Sequence, residues 1–185
     1  MKPKTLIILS VVALLGISGI TCVGSALGFR SDCITAEAGI KAQYSEDQNN
    51  YDNMWKKFRE MSQVNESYAA DLKKVFDSAI QGRYGADGSR AAMQWIQEHN
   101  PTLDSSTYVK LGAAIEAGRN AFEAEQKQLL DRKREYEVLL GSTTALWANP
   151  FFGFPRIDLD KFGIVTSDRT EKAFDTKKDD EVKLR

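Results

Sequence analysis

The chain has 185 residues, of which 42% are apolar and 28% charged, a mixture typical of a folded domain rather than a disordered chain. Its 25 basic and 26 acidic side chains nearly cancel. The first 29 residues contain two lysines and no acid, so residues 30–185 are net acidic. This argues against nucleic acid as a partner, because the phosphate backbone repels a net acidic domain.

Residues 1–29 are predicted to form a transmembrane anchor. No charged side chain occurs from Thr5 to Phe29, and the run is dense in aliphatic residues. At about 1.5 Å per residue its 25 residues reach ~37 Å as a helix, enough to cross a hydrocarbon core of ~30 Å. Lys2 and Lys4 precede the run, so the positive-inside rule predicts a cytoplasmic N-terminus and an extracytoplasmic remainder.

A cleaved signal peptide is the alternative, because residues 24–26 are small enough for a cleavage site and cleavage would leave a secreted or periplasmic protein. Residues 19–21 before Cys22 only loosely resemble a lipoprotein attachment sequence. The length of the apolar run favours a retained anchor. Cys22 lies inside the run and Cys33 just beyond it, which argues against an intrachain disulfide. Cys33 is a free thiol or pairs with Cys33 of another subunit.

Residues 33–81 are predicted to form one long helix, because aromatic and aliphatic side chains recur at helical spacing. The sevenfold spacing typical of a coiled coil links Tyr44, Tyr51, Phe58, Asn65, Leu72 and Ala79, and Trp55 belongs to an interleaved set. A break near Val64-Asn65 is the alternative. Three glycines between residues 82 and 88 end this helix.

Ser89 is predicted to cap a short helix, which Asn100-Pro101 ends. A third helix starts at Asp104 or Ser105 and continues to about Trp147. Its sevenfold stripe contains Tyr108, Ile115, Phe122, Leu129, Tyr136 and Thr143. Glu125 and Arg132 interrupt a second stripe; solvated edges of the seam are the favoured interpretation, and pairing across an interface is the alternative.

The pattern changes after Trp147. Asn149-Pro150 is predicted to stop the helix, and the aromatic turn 151–155 is expected to dock on the protein or at the membrane interface. Residues 157–165 could form a short strand. Residues 156–185 are interpreted as a charged C-terminal tail, solvated from Thr166 onward.

These elements predict an all-α fold: an antiparallel long-helix hairpin or helical bundle at residues 30–155, after the transmembrane helix. Two rods leave a thin core in which large aromatic side chains are poorly covered, so we expect self-association. The candidate interface residues are Tyr44, Tyr51, Trp55, Phe58, Phe122, Leu129 and Tyr136.

The sequence contains no recognisable catalytic constellation. His99 is the only histidine, no Gly-x-Ser-x-Gly elbow accompanies it, and no His/Cys cluster has zinc spacing. The glycines of residues 82–88 precede a helix but lack the Gly-Lys-Ser/Thr of a phosphate-binding loop. We therefore expect neither an enzyme nor a bound cofactor or metal.

Several residues give the chain a resemblance to the LemA family of membrane-anchored helical proteins. They are Tyr51, Trp55, Val64, Asp71-Leu72 and Val75 in the first long helix, Asn100-Pro101-x-Leu103 before the last, Leu111, Ile115 and Arg134-x-Tyr136 within the last, and Phe154-Pro155 after it. The resemblance implies a tethered helical domain without established enzymatic activity. The family's basic pair and Ile-Pro-Asn-Leu run are missing, and the segment at 82–99 is shorter, which favours assembly between chains.

The functional hypothesis is a non-enzymatic structural scaffold or interaction module. It would be anchored in the membrane by its N-terminal helix, face away from the cytoplasm, form a homo-oligomer and bind a protein partner whose identity the sequence does not specify. The alternative is an envelope-spanning or periplasmic linker, since helical rods with a free tail could reach a second layer.

Overall fold

The computed structural model describes residues 3–81, 85–165 and 175–176, with the backbone alone at residues 3–7 and 85–88. Every regular element named within these ranges is helical, which confirms the all-α prediction. The strand predicted at residues 157–165 is wrong: that segment contains a short 3₁₀ helix instead, because the Asp158 side chain accepts a hydrogen bond from the backbone N–H of Asp160 and starts a helical turn. The charged run at residues 177–181 lies outside the described residues.

Five α-helices follow one another along the described chain: α1 (Pro3–Ser62), α2 (Ala69–Gln81), α3 (Gly85–His99), α4 (Ser105–Leu140) and α5 (Thr143–Phe152). Two 3₁₀ helices, Glu66–Tyr68 and Leu159–Lys161, lie in the connections. Helix α3 begins four residues before Ser89, so the prediction that Ser89 caps it is wrong. The Ser89 hydroxyl instead donates a hydrogen bond to the Glu116 carboxylate.

The predicted uninterrupted helix over residues 33–81 is also wrong, and the alternative break near Val64-Asn65 is confirmed. Gln63 adopts a positive φ of 49°, which a right-handed helix does not allow, so α1 ends at the preceding residue, Ser62. The Asn65 side chain accepts a hydrogen bond of 3.0 Å from the Ser67 backbone and starts the 3₁₀ helix. The side-chain amide of Asn100 donates to the C-terminal end of α1, at the Ser62 carbonyl, over 3.2 Å.

The last predicted helix is divided in two, and Asn149-Pro150 does not stop it. Gly141 and Ser142 separate α4 from α5, and the Ser142 hydroxyl caps α5 by accepting a hydrogen bond from Ala145 N–H at 3.2 Å. Pro150 is tolerated because only one backbone hydrogen bond is lost near the end of a short helix. Gly153 terminates α5 in the left-handed conformation, with φ of 67°.

The described chain divides into two compact units. Unit 1 comprises Met1–Ala42 and Leu130–Phe162, and unit 2 comprises Gln43–Leu129 and Gly163–Arg185. Unit 2 has an apolar core supplied by the second part of α1, by α2, by α3 and by the first part of α4. Its fully covered members include Phe58, Leu72, Phe76, Ile96, Leu111 and Ile115.

The core of unit 1 surrounds a buried carboxylate, Glu37. Its Oε1 atom accepts a hydrogen bond from the Tyr136 hydroxyl at 2.7 Å and another from the Arg156 backbone N–H at 2.6 Å. Burial and the neighbouring carboxylate raise the pKa of Tyr136 well above its usual range. Phe29 and Phe154 pack edge to face, with ring centroids 6.2 Å apart.

Helix α1 also contains the apolar run predicted as an anchor. Within the described residues it is the one helix long and apolar enough to cross a membrane, and its most apolar stretch is uncovered by protein. Large aliphatic side chains there, such as Ile20 and Leu15, are 75% and 68% exposed. A core helix of a soluble domain would bury such side chains, whereas a membrane span or a signal sequence would leave them uncovered.

Candidate binding pocket

Unit 2 contains an open pocket of about 490 Å³ beside the second part of α1. The α1 residues Tyr44, Asp47, Gln48, Tyr51 and Asp52 all line it, because their spacing of three and four places them on one helix face. Asn49 of α1 also lines the pocket, and the remaining wall comes from α2, from α4 and from the chain after the second 3₁₀ helix. These lining residues are Gln81, Phe122, Gln126, Gly163 and Val165.

Asp47 is the most unusual group in this lining. It is 5% exposed, and its Oδ1 atom accepts a hydrogen bond of 2.9 Å from the side chain of Gln43, one helical turn earlier. Its Oδ2 atom is buried and receives no hydrogen bond from any described residue. A buried carboxylate oxygen without a donor is costly, since neither water nor protein replaces its lost hydration.

Glu125 repeats this arrangement from the facing helix, α4. Its Oε1 atom accepts a hydrogen bond of 2.7 Å from the Asn50 side chain, and its Oε2 atom is buried without a partner among the described residues. Burial raises the pKa of Glu125, and the negative charges of Asp47 and Glu46 raise it further. Glu125 is therefore partly buried, unlike the solvated seam edge that was the favoured prediction.

The Tyr51 side of the pocket is held by a polar network on α2. The Tyr51 hydroxyl donates a hydrogen bond of 2.7 Å to Asp77, and the Gln81 side chain donates to the same hydroxyl over 3.2 Å. Lys73 forms an ion pair with Asp77 and places its ammonium group 5.0 Å from the centre of the Tyr51 ring. Burial and the Asp77 carboxylate raise the pKa of Tyr51, so its hydroxyl stays protonated.

The structure distributes the seven predicted interface residues between core and pocket. Phe58, Phe122, Leu129 and Tyr136 are buried within their own chain. Trp55 is partly buried and packs 5.5 Å from the ring of Phe76 on α2. Tyr44, Tyr51 and Phe122 line the pocket. The premise that Tyr51, Trp55 and Phe58 lack cover is wrong, because all three pack on Phe76 of α2; self-association itself stays a prediction.

His99 and Cys33 both lie in packed surroundings within the chain. His99 stacks on Trp95 with ring centroids 3.9 Å apart, and its Nδ1 atom lies 2.9 Å from the Trp95 carbonyl oxygen. Cys33 is fully buried, and burial together with the nearby Glu37 carboxylate raises its thiol pKa to about 11. A buried thiol cannot reach a second subunit without local opening of unit 1.

The pocket lining combines carboxylates with aromatic rings. It contains the carboxylates of Asp47 and Asp52, several side-chain amides and three aromatic rings, and one Asp47 oxygen is buried without a hydrogen-bond donor among the described residues. Carboxylates with aromatic rings are a suitable environment for an ammonium or guanidinium group. Within the part of the chain that the structure describes, no three His, Cys, Asp or Glu side chains are grouped to hold a metal ion.

The sequence contained a usable signal for this site that pattern analysis missed. Asp47 lies between Tyr44 and Tyr51 on the aromatic stripe, where a carboxylate interrupts an otherwise apolar face. An acidic residue on the buried face of a helix is a candidate functional group. No family model, curated protein or solved structure matches the chain, and the resemblance to the LemA family stays a prediction.

Proposed function

We propose that this chain is a membrane-anchored, non-enzymatic interaction module whose unit 2 binds a positively charged group outside the cytoplasm. The observation that carries the binding role is the buried Asp47 Oδ2 atom: no described residue donates a hydrogen bond to it, although Asp47 lines an open pocket. The anchoring role is supported by the uncovered apolar stretch of α1. The same helix continues from that stretch into unit 2, so the tether and the pocket belong to one element.

A bound cation would supply the partner that the Asp47 oxygen lacks among the described residues. A buried carboxylate oxygen that receives no hydrogen bond costs about 1–3 kcal/mol. A cation seated beside Asp47 would offset that cost and also the repulsion that raises the pKa of Glu125. The ligand would therefore stabilise the folded chain more than its few hydrogen bonds alone suggest.

The pocket fits an alkylammonium or guanidinium group better than a bare ion. Its volume of about 490 Å³ accommodates several heavy atoms, and its rings offer aromatic faces to an organic cation. Such a group can belong to a free polyamine or to a lysine or arginine side chain of a partner protein. The chemistry is shared, so the experiment must separate the two sources.

The test is calorimetric titration of the full chain in lipid nanodiscs with spermidine and, separately, with a lysine-rich peptide. We expect saturable binding that falls at least tenfold in Asp47→Asn and is unchanged in Asp71→Asn, which alters an exposed carboxylate paired with Lys74. Preference for spermidine identifies a small-molecule ligand, and preference for the peptide a protein partner. Equal binding by both variants, or none by the wild type, refutes the proposal.

The arrangement expected from the LemA resemblance forms part of the same proposal. Within unit 2, Asn50 of α1 bonds Glu125 of α4, while Tyr51 packs on Phe122 with ring centroids 5.5 Å apart. Residue numbers thus rise along α1 as they fall along α4, which supports an antiparallel long-helix hairpin. Cysteine pairs introduced at positions 50 and 125 should cross-link under mild oxidation, whereas pairs at 50 and 109 should not.

The proposal also includes a membrane topology, with the N-terminus in the cytoplasm and unit 2 outside it, and self-association of the chain. Protease added outside intact cells should digest unit 2, and the N-terminus should remain protected. Light scattering of the nanodisc or detergent complex should report more than one chain per particle if unit 2 self-associates. A single chain per particle at all concentrations would remove the oligomer from the proposal and leave the pocket unaffected.

A further inference from the structure

Helix α5 in unit 1 exposes an apolar face. Leu146 is 77% exposed, Trp147 43% and Phe151 82%. Leu146 and Trp147 are adjacent and Phe151 follows Trp147 by four residues, so the three side chains lie on one side of the helix. The opposite side is buried through Ala145 and Ala148. No residue of α5 is charged. A helix that shows three large apolar side chains to water, without one charge, normally marks a surface that something else covers.

The contacts of unit 1 place α5 at one end of the apolar run of α1. Phe29 is the last residue of that run, and it is buried against Phe154. Asn149 on α5 fixes Phe154 through two hydrogen bonds, accepting from its N–H at 2.8 Å and donating to its carbonyl at 2.7 Å. The last turn of α5 is therefore tied to the residue where the uncharged run ends.

That position coincides with the membrane surface if α1 crosses the bilayer. The 25-residue run exceeds a hydrocarbon core of ~30 Å by several residues, so its C-terminal end reaches the headgroup region. Tryptophan and other aromatic side chains concentrate in this region. Arg156 is exposed just beyond α5, with its guanidinium 4.4 Å from the centre of the Phe154 ring, where it can meet lipid phosphates.

We propose that α5 is an interfacial helix, with Leu146, Trp147 and Phe151 inserted into the lipid surface beside the transmembrane part of α1. The occupant of this face is the bilayer itself, reached by a second and shallower attachment of the same unit. Helices of this kind bury their apolar side roughly 5–10 Å into the boundary between headgroups and acyl chains. The inference rests on the proposed anchoring of α1.

Trp147 allows a direct test with the full chain. The protein is reconstituted in vesicles of phosphatidylcholine and phosphatidylglycerol, and a share of the lipid carries bromine at carbons 6 and 7, which quenches nearby tryptophans. We expect brominated lipid to quench the wild type at least about twofold more than Trp147→Phe, because Trp147 is the tryptophan at the interface. Trp95→Phe, a matched change in unit 2, should retain the wild-type quenching.

A second variant separates insertion from simple proximity. Phe151→Ser removes the most exposed apolar side chain of α5, and we expect it to increase the quenching of Trp147 by aqueous iodide. Val109→Ser, at a 70% exposed residue of unit 2, should leave iodide quenching unchanged. Identical lipid quenching of wild type and Trp147→Phe overturns the inference. Protection of Trp147 that depends on protein density rather than on lipid also overturns it, since a second copy then covers the face.

Alkaline carbonate extraction distinguishes failure of this inference from failure of the proposed anchor. A chain that resists extraction while Trp147 stays unquenched retains its anchor and has α5 in water, so only the interfacial helix is refuted. A chain that carbonate releases from the membrane lacks the anchor, and both proposals fall.

Discussion

Two buried carboxylates lie ten residues apart on α1 and have opposite surroundings. Glu37, in unit 1, is 7% exposed and receives hydrogen bonds from Tyr136 and from the Arg156 backbone. Asp47, in unit 2, is 5% exposed and has one oxygen that no described residue bonds. Both are acidic residues on the covered face of one helix, so burial alone does not distinguish a structural carboxylate from a binding group. The hydrogen-bond donors around each carboxylate oxygen make that distinction.

The largest expected effect is on the satisfied carboxylate. Glu37→Ala leaves the Tyr136 hydroxyl and the Arg156 N–H without their acceptor inside unit 1 and opens a cavity. We expect the free energy of unfolding to fall by about 2–5 kcal/mol, because buried donors that lose their partner carry a full desolvation penalty. Thermal unfolding of the detergent-solubilised full chain, followed by circular dichroism, measures the change.

Tyr136→Phe provides the graded control for that experiment. It removes one donor and leaves the Arg156 bond to Glu37 in place, so a smaller loss of about 1–2 kcal/mol is expected. If both variants unfold at the wild-type temperature, Glu37 is not a structural element of unit 1, and the contrast with Asp47 disappears.

Neutralising Asp47 should have a small effect of the opposite sign. Asp47→Asn keeps the shape of the side chain, removes a buried charge beside Glu125, and retains an oxygen that can accept from Gln43. We expect stability without ligand to be unchanged or to rise by up to ~1 kcal/mol, since no ion pair to Asp47 occurs among the described residues. The same melting experiment detects it. A loss of more than ~2 kcal/mol would show that Asp47 is structural, as Glu37 is.

The pH dependence of stability should identify Glu125. Its folded-state pKa is raised, so the folded chain binds a proton more readily than the unfolded chain. Protonated Glu125 therefore contributes stability that is fully present below its ordinary pKa of 4.5 and is lost as the pH rises through the raised value. Glu125→Gln should flatten this part of the profile and raise the melting temperature at neutral pH. A profile identical to the wild type would contradict the assignment.

The sequence predicted helical class and the apolar run, because both depend on periodicity and composition. The stripe through Ile115, Phe122, Leu129 and Tyr136 is buried as its sevenfold spacing indicated. The breaks were harder to place. Gln63 carries the positive φ that ends α1, although glutamine has no special preference for that conformation. Tertiary contacts such as the Asn100 side chain on the Ser62 carbonyl stabilise the break, and local sequence does not report them.

The pocket was harder still to predict. Tyr44 and Tyr51 were recognised as large residues needing cover, but their shared wall includes Gln81, Gln126 and Val165, from three distant segments. Only folding brings these together. Whether an Asp47 oxygen receives a hydrogen bond depends on the residues that folding places around it. A sequence pattern does not show which donors will be near. The break between α4 and α5 at Gly141-Ser142 was not predicted either, although the sequence carries a local signal for it: a glycine that can end one helix is followed by a serine that can cap the next.

The smallest expected effect is a change in the rate at which Cys33 is chemically labelled, which reports on the contribution of Glu37. Cys33 lies one helical turn before Glu37, is fully buried, and has a thiol pKa of about 11, so little thiolate is present at neutral pH. In a Cys22→Ser background, maleimide should label native Cys33 slowly, and labelling should accelerate at least about tenfold in Glu37→Ala, because opening of unit 1 becomes less costly. Asp47→Asn should leave the rate unchanged. Fast labelling of the native chain would show that unit 1 opens readily even when Glu37 has its hydrogen bonds. The two carboxylates would then differ in hydrogen bonding alone and not in the rigidity of their surroundings.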